Sequence, residues 1–212
     1  GSKLTGMNCT VLCGSGNNGG DGFVVGRLLS KTAKKVTVIL VNSLPKTKSS
    51  AEMYEMCKDT NCTILDIGFD LREALIEISK SDLIVDAVFG TGFHGNLPEK
   101  MLDVFEYANN TDAIKIALDL PSGANADTGE ADKNSFVADV TISFGSAKMG
   151  HIISPTKELS GKLYVADIGI FESAYDNIGT VAYSITKSQI PDLLPKRKPD
   201  SHKGDFGKLL II

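Results

Sequence analysis

Four turns rich in glycine and polar residues each follow an apolar run in this chain of 212 residues. They lie at Gly14–Gly22, Asp86–Asn96, Asp119–Gly129 and Phe144–Gly150. Because ligands bind beyond the carboxyl ends of strands in open α/β sheets, we expect these turns to converge on one pocket. The side chains that they would bring together are Asn18, Asp86, Asp119, Ser122 and Lys148. Carboxylates, a lysine and glycine-rich turns predict acid–base chemistry on a phosphorylated or dinucleotide ligand.

The first turn reads C-G-S-G-N-N-G-G-D-G from Cys13 to Gly22. Its glycines let backbone N–H groups approach an anion at the start of a helix. It contains G-x-G-x-x-G, so one hypothesis is a nicotinamide-dependent dehydrogenase. That hypothesis also requires an acidic residue at the end of the second strand, where this chain has Asn42. A tight turn that binds no ligand is a further alternative.

Each of the other turns also has a simpler explanation when it is considered alone. Asp86 could be a hydrogen-bonded core residue, and Lys148 could be a solvated surface lysine. The segment Asp127-Thr-Gly129 is typical of a β-turn. The functional interpretation therefore depends on the four turns together.

The turns would be positioned by strands that alternate with helices. The predicted strands are Cys9–Cys13, Val36–Val41, Thr63–Ile67, Leu83–Phe89, Ile114–Leu118, Val140–Phe144 and Leu163–Asp167. The predicted helices are Gly20–Ser30, Ser50–Thr60, Leu71–Lys80 and Pro98–Asn109. Strands that are apolar on both faces and separated by helices predict a mostly parallel central sheet. The expected fold class is therefore α/β, a three-layer Rossmann-like sandwich.

The pattern changes in the last part of the chain. A short strand-like run at Val181–Ile185 precedes a segment at 190–204 that is rich in proline and charge. The run Lys208–Ile212 is typical of the first half of a buried strand. We therefore expect one domain over residues 1–180, and a linker with the start of a second domain over 181–212. Because the chain opens at Gly1 without a methionine, we also expect an upstream segment.

Composition excludes several classes of function. The net charge of −4 argues against a nucleic-acid partner, and no apolar run is long enough for a membrane span. The histidines lack metal-site spacing; they are His94, His151 and His202. The cysteines contain no C-x-x-C and are expected to be reduced structural thiols in a cytoplasmic protein. They are Cys9, Cys13, Cys57 and Cys62.

The four turns resemble motifs of the NAD(P)H-hydrate epimerase family. The similar segments are G-S-G-N-N-G-G-D-G, D-A-V-F-G-T-G-F-H-G, D-L-P-S-G-A-N-A-D-T-G and F-G-S-A-K-M-G, within Val11–Ile170. The tail from Pro195 to Ile212 is similar to the opening of the ADP-dependent NAD(P)H-hydrate dehydratase domain. The resemblance therefore implies one end of a bifunctional repair enzyme, in which the ATP-binding, lyase part lies mostly outside these residues.

The resemblance also implies a potassium ion and a substrate site. The motif positions for K⁺ fall on Asn18, Asp86 and Ser122, whose hard oxygens suit a hard cation. The substrate positions fall on Asn17, Asn18, Gly19, Gly20, Asp21, Gly90, Thr91, Gly92, Phe93, His94, Gly95, Asn96 and Asp119.

The expected function is epimerisation of the R and S forms of hydrated NADH or NADPH at C6 of the nicotinamide ring. We expect Asp119 to be the acid–base group and Lys148 to orient it or bias its pKa. The expected partners are this small-molecule substrate and further copies of the chain, as a dimer or higher homo-oligomer. The alternative is a non-catalytic nucleotide-binding or protein-interaction module with the same fold.

Overall fold

A computed structural model describes residues 4–175, 185, 187–194, 199–202 and 204. Within these residues, seven parallel strands form one sheet in the order β3-β2-β1-β4-β5-β6-β7. The strands are β1 (Asn8–Cys13), β2 (Lys35–Leu40), β3 (Thr63–Asp66), β4 (Leu83–Ala87), β5 (Ile114–Leu118), β6 (Val140–Phe144) and β7 (Lys162–Ala166). The prediction of a mostly parallel sheet is therefore confirmed.

Helices cover both faces of the sheet. The helices of the unit that contains the sheet are α1 (Asn17–Leu29), α2 (Lys48–Lys58), α3 (Ile67–Ser79), α4 (Leu102–Asn109) and α5 (Thr156–Leu159), with 3₁₀ turns at Glu99–Met101 and Met149–His151. The described part of the chain after Gly169 contains α6 (Ile190–Leu193) and a 3₁₀ turn at Glu172–Tyr175. Phe23 of α1 and Cys57 of α2 belong to one buried apolar cluster. Ile78 of α3 and Phe105 of α4 belong to the cluster on the opposite face. The three-layer prediction is therefore also confirmed.

The strand order places a crevice at the centre of the sheet. β1 pairs in parallel with β2 on one side and with β4 on the other, so the order in which strands are added to the sheet reverses at β1. The loops that follow these two strands therefore diverge and leave space at their carboxyl ends. The glycine-rich turn leaves β1 and the loop containing Phe89–Asn96 leaves β4, so both predicted ligand-binding segments border this crevice.

The predicted and observed element boundaries differ where local sequence signals conflict. β5 and β6 have the predicted bounds, but β4 ends at Ala87 instead of Phe89. The Asp86 carboxylate accepts from the N–H of Val88 at 3.1 Å, and this local bond turns the chain. α1 begins at Asn17, three residues before the predicted start, because packing overrides the low helix propensity of its glycines.

The chain divides into two compact units at Gly169. The first contains the whole sheet, and the second contains α6. Residues 181–184 of the predicted strand at Val181–Ile185, and all of Lys208–Ile212, lie outside the described residues. The boundary after residue 180 stays a prediction. Among the described residues, no helix has both the length and the apolar character needed to cross a bilayer.

Candidate active site

A cavity of about 460 Å³ lies at the carboxyl ends of the central strands. Eight of its lining residues are among the predicted substrate positions: Asn17, Asn18, Asp21, Gly90, Thr91, Gly92, Phe93 and Asp119. The remaining lining residues are Ser15, Gly16, Val88, Phe89 and Phe144. All four predicted turns thus meet at or beside one cavity, although they are separated by up to about 130 residues in the chain.

A larger cavity of about 670 Å³ lies at the opposite, amino end of the strands, beside Met7, Asp82 and Ala113. Volume alone would favour that cavity as the ligand site. The smaller cavity is the better candidate because it combines a helix N-terminus, glycine-rich turns and a largely buried ion pair.

Two glycines of the first turn are required by close backbone packing. A Cβ atom on Gly14 would lie 2.0 Å from the carbonyl oxygen of Val88. One on Gly19 would lie 1.9 Å from the carbonyl oxygen of Gly14. The absence of side chains here brings the start of α1 against the ends of β1 and β4. Gly16 caps α1 without a side-chain hydrogen bond, so the first-turn N–H groups are available to an anion.

The two asparagines of this turn have different partners. The Asn17 Oδ1 atom accepts from Thr47 Oγ1 at 2.7 Å, which ties the turn to the start of α2. Asn18 donates through Nδ2 to the carbonyl of Leu118 at 3.3 Å, at the end of β5. The side-chain oxygen of Asn18 is therefore the atom left to meet a cation or a ligand.

Asp86 and Ser122 form a buried polar pair. The Asp86 carboxylate accepts from Ser122 Oγ at 2.6 Å and from Ser122 N at 2.7 Å. The N–H of Phe89 donates to Ser122 Oγ at 2.9 Å. Burial raises the pKa of Asp86 to about 6, although its hydrogen bonds with Ser122 and Val88 act in the opposite direction. The carboxylate has hydrogen-bond donors around it but no basic side chain among them.

Asp119 and Lys148 form a second polar pair, which lies at the ends of β5 and β6. Lys148 Nζ lies 2.5 Å from Asp119 Oδ1, and it also donates to Ser143 Oγ and the carbonyl of Phe144, both at 2.9 Å. All three ammonium protons therefore have acceptors. Only 13% of the Asp119 side chain and 18% of the Lys148 side chain are exposed, so Lys148 is not a solvated surface lysine.

Asp119 presents its second carboxylate oxygen towards the cavity. Oδ2 lies 3.2 Å from the position that a Cβ on Gly90 would occupy, and the Asn18 side chain lies at a similar distance from that point. Gly90 thus leaves room between Asp119 and Asn18. Burial raises the pKa of Asp21 at the mouth of the cavity, and the negative charge of Asp119 acts in the same direction.

His151 is a site residue that the sequence reasoning did not identify. Its ring is buried, and it bonds to the backbone of both Asp119 and Lys148. The spacing Lys148-x-x-His151 across a short turn was the available signal, but it corresponds to no metal motif.

Five predicted substrate positions lie outside the cavity lining: Gly19, Gly20, His94, Gly95 and Asn96. Gly19 and Gly20 are buried, and Gly20 packs against Ser50 of α2. His94 is exposed, and its Nδ1 pairs with Asn125 Nδ2 at 3.1 Å. Packing therefore accounts for Gly19 and Gly20 without a ligand.

The described residues contain no cluster of three or more histidine, cysteine, aspartate or glutamate side chains that could hold a metal ion. A site for a hard monovalent cation would have a different composition, with amide, hydroxyl and carbonyl oxygens beside one carboxylate. Asn18, Asp86 and Ser122 supply such oxygens. The buried Asp86 carboxylate without a basic partner fits a bound cation.

Comparisons with known proteins show which family the chain belongs to. Residues 3–150 match the family described as YjeF-related protein N-terminus. The chain is 36% identical to the bifunctional NAD(P)H-hydrate repair enzyme Nnr of Thermofilum pendens over 208 residues, covering 97% of this chain and 39% of that protein. It is 32% identical to the NAD(P)H-hydrate epimerase of Rhodopirellula baltica over 163 residues, covering 77% of this chain and 66% of that protein.

The fold is similar to that of the yeast protein YNL200c in its crystal structure, with a TM-score of 0.70 and 22% identity. That match covers 88% of this chain and 78% of the yeast chain. The chain spans about two fifths of the length of the bifunctional relatives, such as the Thermofilum enzyme. From the motifs, the sheet and the match over residues 3–150, the chain belongs to the family of YjeF-related protein N-terminal domains.

Proposed function

We propose that this chain epimerises hydrated NADH or NADPH at C6 of the nicotinamide ring, interconverting the R and S forms. The observation that carries the proposal is the Asp119–Lys148 ion pair beside a cavity formed by the glycine-rich turns. The named relatives, a repair enzyme and an epimerase of NAD(P)H hydrates, support the same substrate class.

The ion pair suits a reaction that moves one proton and returns it. C6 carries a hydroxyl and adjoins the ring nitrogen. In one route, the Asp119 carboxylate removes the hydroxyl proton and the C6–N bond breaks to give an aldehyde. The nitrogen keeps the electron pair of that bond and takes the proton from Asp119. Reclosure on the other face of the aldehyde returns the proton. No electron is gained or lost overall.

In a second route, the C6–O bond breaks instead. A protonated Asp119 releases the hydroxyl as water while the nitrogen lone pair stabilises the ring cation. Water then adds to the opposite face and gives its proton back to Asp119. In both routes Lys148 fixes Asp119 Oδ1, so that Oδ2 is the atom directed at the substrate.

The proposal includes a potassium site. Asn18, Asp86 and Ser122 would hold the ion, and their oxygen chemistry and the buried carboxylate support it. The bound ion would supply positive charge near the diphosphate of the substrate and would join three loops. The first-turn N–H groups of α1 would bind that diphosphate.

The longer protein is proposed to carry ADP-dependent dehydratase activity as well, with residues 181–212 leading into that domain. We also propose a cytoplasmic location and a homo-oligomer of two or more copies. The four cysteines are free thiols, which supports a reducing compartment. The Asp119–Lys148 pair favours an enzyme over the alternative binding module, because a module needs no largely buried ion pair at its cavity.

The test is conversion of purified R-hydrate, followed by chromatographic separation of the S form. The reaction is run with potassium or with tetramethylammonium at equal ionic strength. We expect potassium-dependent conversion above the spontaneous rate. A folded protein that binds the nucleotide without converting it would overturn epimerisation and leave the binding module.

A further inference from the structure

The backbone of Asp119 has an unfavourable conformation. Its φ is +65°, and it is the only non-glycine residue with a positive φ among those that the structure describes. The N–H of Leu120 donates to the carbonyl of Leu118 at 2.9 Å, so Asp119 is the central residue of a three-residue turn. Such turns with positive φ are rare and strained, and they persist only where the surroundings hold them.

His151 is one of the groups that hold this turn. His151 Nε2 lies 2.8 Å from the carbonyl oxygen of Asp119, and only 4% of the residue is exposed. The ring reaches Asp119 from the 3₁₀ turn Met149–His151 that follows β6. It therefore joins two loops that are separated by about 30 residues in the chain.

The same ring also holds the backbone of Lys148. The N–H of Lys148 donates to His151 Nδ1 at 2.9 Å. Because an N–H can only donate, Nδ1 carries no proton, and the ring proton lies on Nε2, where it faces the Asp119 carbonyl. One neutral tautomer thus satisfies both bonds, and a doubly protonated ring would place two donors against each other.

The surroundings of the ring, above all its burial, favour that neutral form. Burial is the largest cause that lowers the pKa of His151, and the Lys148 charge acts in the same direction. The contact with the Asp119 carbonyl and the charge of its carboxylate oppose them.

We propose that His151 is a positioning residue that fixes the backbones of Asp119 and Lys148, so that the Asp119 carboxylate is directed at the substrate. The proposal rests on the proposed role of Asp119 in epimerisation. Misplacing a reacting group by about 1 Å can cost about 100-fold in rate, so the effect belongs in kcat more than in KM.

Two substitutions separate the two bonds of the ring. His151→Gln places an amide N–H where Nε2 donates to Asp119, whereas His151→Asn retains an acceptor near Lys148 N and loses the donor to Asp119. We expect His151→Asn to lower kcat about 10- to 100-fold with KM nearly unchanged, and His151→Gln to recover most of that loss. Thr156→Val is the matched control, because it removes a buried hydroxyl that donates to the carbonyl of Gly129. We expect this variant to be less stable than wild type but to have the same kcat.

Equal kcat values for wild type and a folded His151→Asn protein would overturn the proposal. Carboxyl ¹³C NMR of Asp119 in the same proteins requires no turnover, and we expect a shifted resonance in His151→Asn that His151→Gln restores. If the wild type shows no epimerisation but the resonance behaves in this way, epimerisation fails and the positioning role stands. An unshifted resonance would contradict the positioning role independently of activity.

Discussion

Lys148 Nζ lies 2.5 Å from Asp119 Oδ1, and this ion pair joins the carboxyl ends of β5 and β6. The other two protons of the ammonium group bond to Ser143 Oγ and to the carbonyl of Phe144. The lysine therefore adopts one orientation, and the aspartate retains one oxygen for the cavity. A single geometric arrangement thus determines the direction of the proposed acid–base group.

Lys148→Met should leave a mostly buried carboxylate without its cation. We expect a loss of about 2 kcal/mol in the free energy of unfolding, because breaking a largely buried pair leaves the remaining charge poorly solvated. Urea unfolding measures this loss, and Lys157→Met, at an exposed lysine, is the matched control. The double variant with Asp119→Asn should lose less than the sum of the two single losses; additive losses would show that the pair is not coupled.

Gly19→Ala should destabilise the fold through the glycine-rich turn. The added Cβ would lie 1.9 Å from the Gly14 carbonyl oxygen, which forces α1 away from β1. We expect a loss of about 1–3 kcal/mol in the free energy of unfolding. Gly92→Ala is the control, because no atom lies within 4 Å of its added Cβ. Equal stability of the two variants would contradict the packing role of Gly19.

Potassium should stabilise the protein through Asp86. At several times its dissociation constant, the ion should add about 1 kcal/mol to the free energy of unfolding relative to tetramethylammonium. Asp86→Asn should abolish this difference. Asp132→Asn should retain it, because Asp132 accepts from the N–H groups of Leu97 and Asn134 and is not part of the cavity lining. A potassium effect that persists in Asp86→Asn would exclude the proposed ion site.

Glu77 of α3, which contacts Lys35 and Thr37 of β2, should make the free energy of unfolding depend on pH. Burial acts to raise the pKa of Glu77, but the contacts with Lys35 and Thr37 outweigh it and hold the pKa below the ordinary value of 4.5. The contribution of Glu77 is therefore fully present above pH 4.5 and is lost as pH falls through the lower folded-state pKa. The difference in unfolding free energy between wild type and Glu77→Gln should therefore shrink as the pH falls below 4.5. A constant difference would contradict this assignment.

The sequence predicts the sheet and most of the site because their signals are local. β5 and β6 are apolar runs between clear breaks, and their bounds agree with the prediction. The convergence of the turns follows from parallel topology alone. It required no knowledge of side-chain contacts.

Other features depend on contacts that the sequence does not reveal. The bond between His151 and the Asp119 carbonyl joins residues 32 positions apart, and no motif specifies it. Gly19 resembles a ligand-binding glycine in the sequence, whereas its backbone contact with Gly14 accounts for it by packing. The positive φ of Asp119 is likewise unexpected, since aspartate in that conformation needs the surrounding bonds to hold it.

The most direct measurement is the rate at which R-hydrate becomes S-hydrate with wild type, Asp119→Asn and Asp127→Asn. Asp127 is an exposed aspartate outside the cavity lining. We expect wild type and Asp127→Asn to convert the substrate equally, and Asp119→Asn to be at least about 100-fold slower while remaining folded. Full activity in a folded Asp119→Asn protein would contradict the central assignment of Asp119 as the acid–base group.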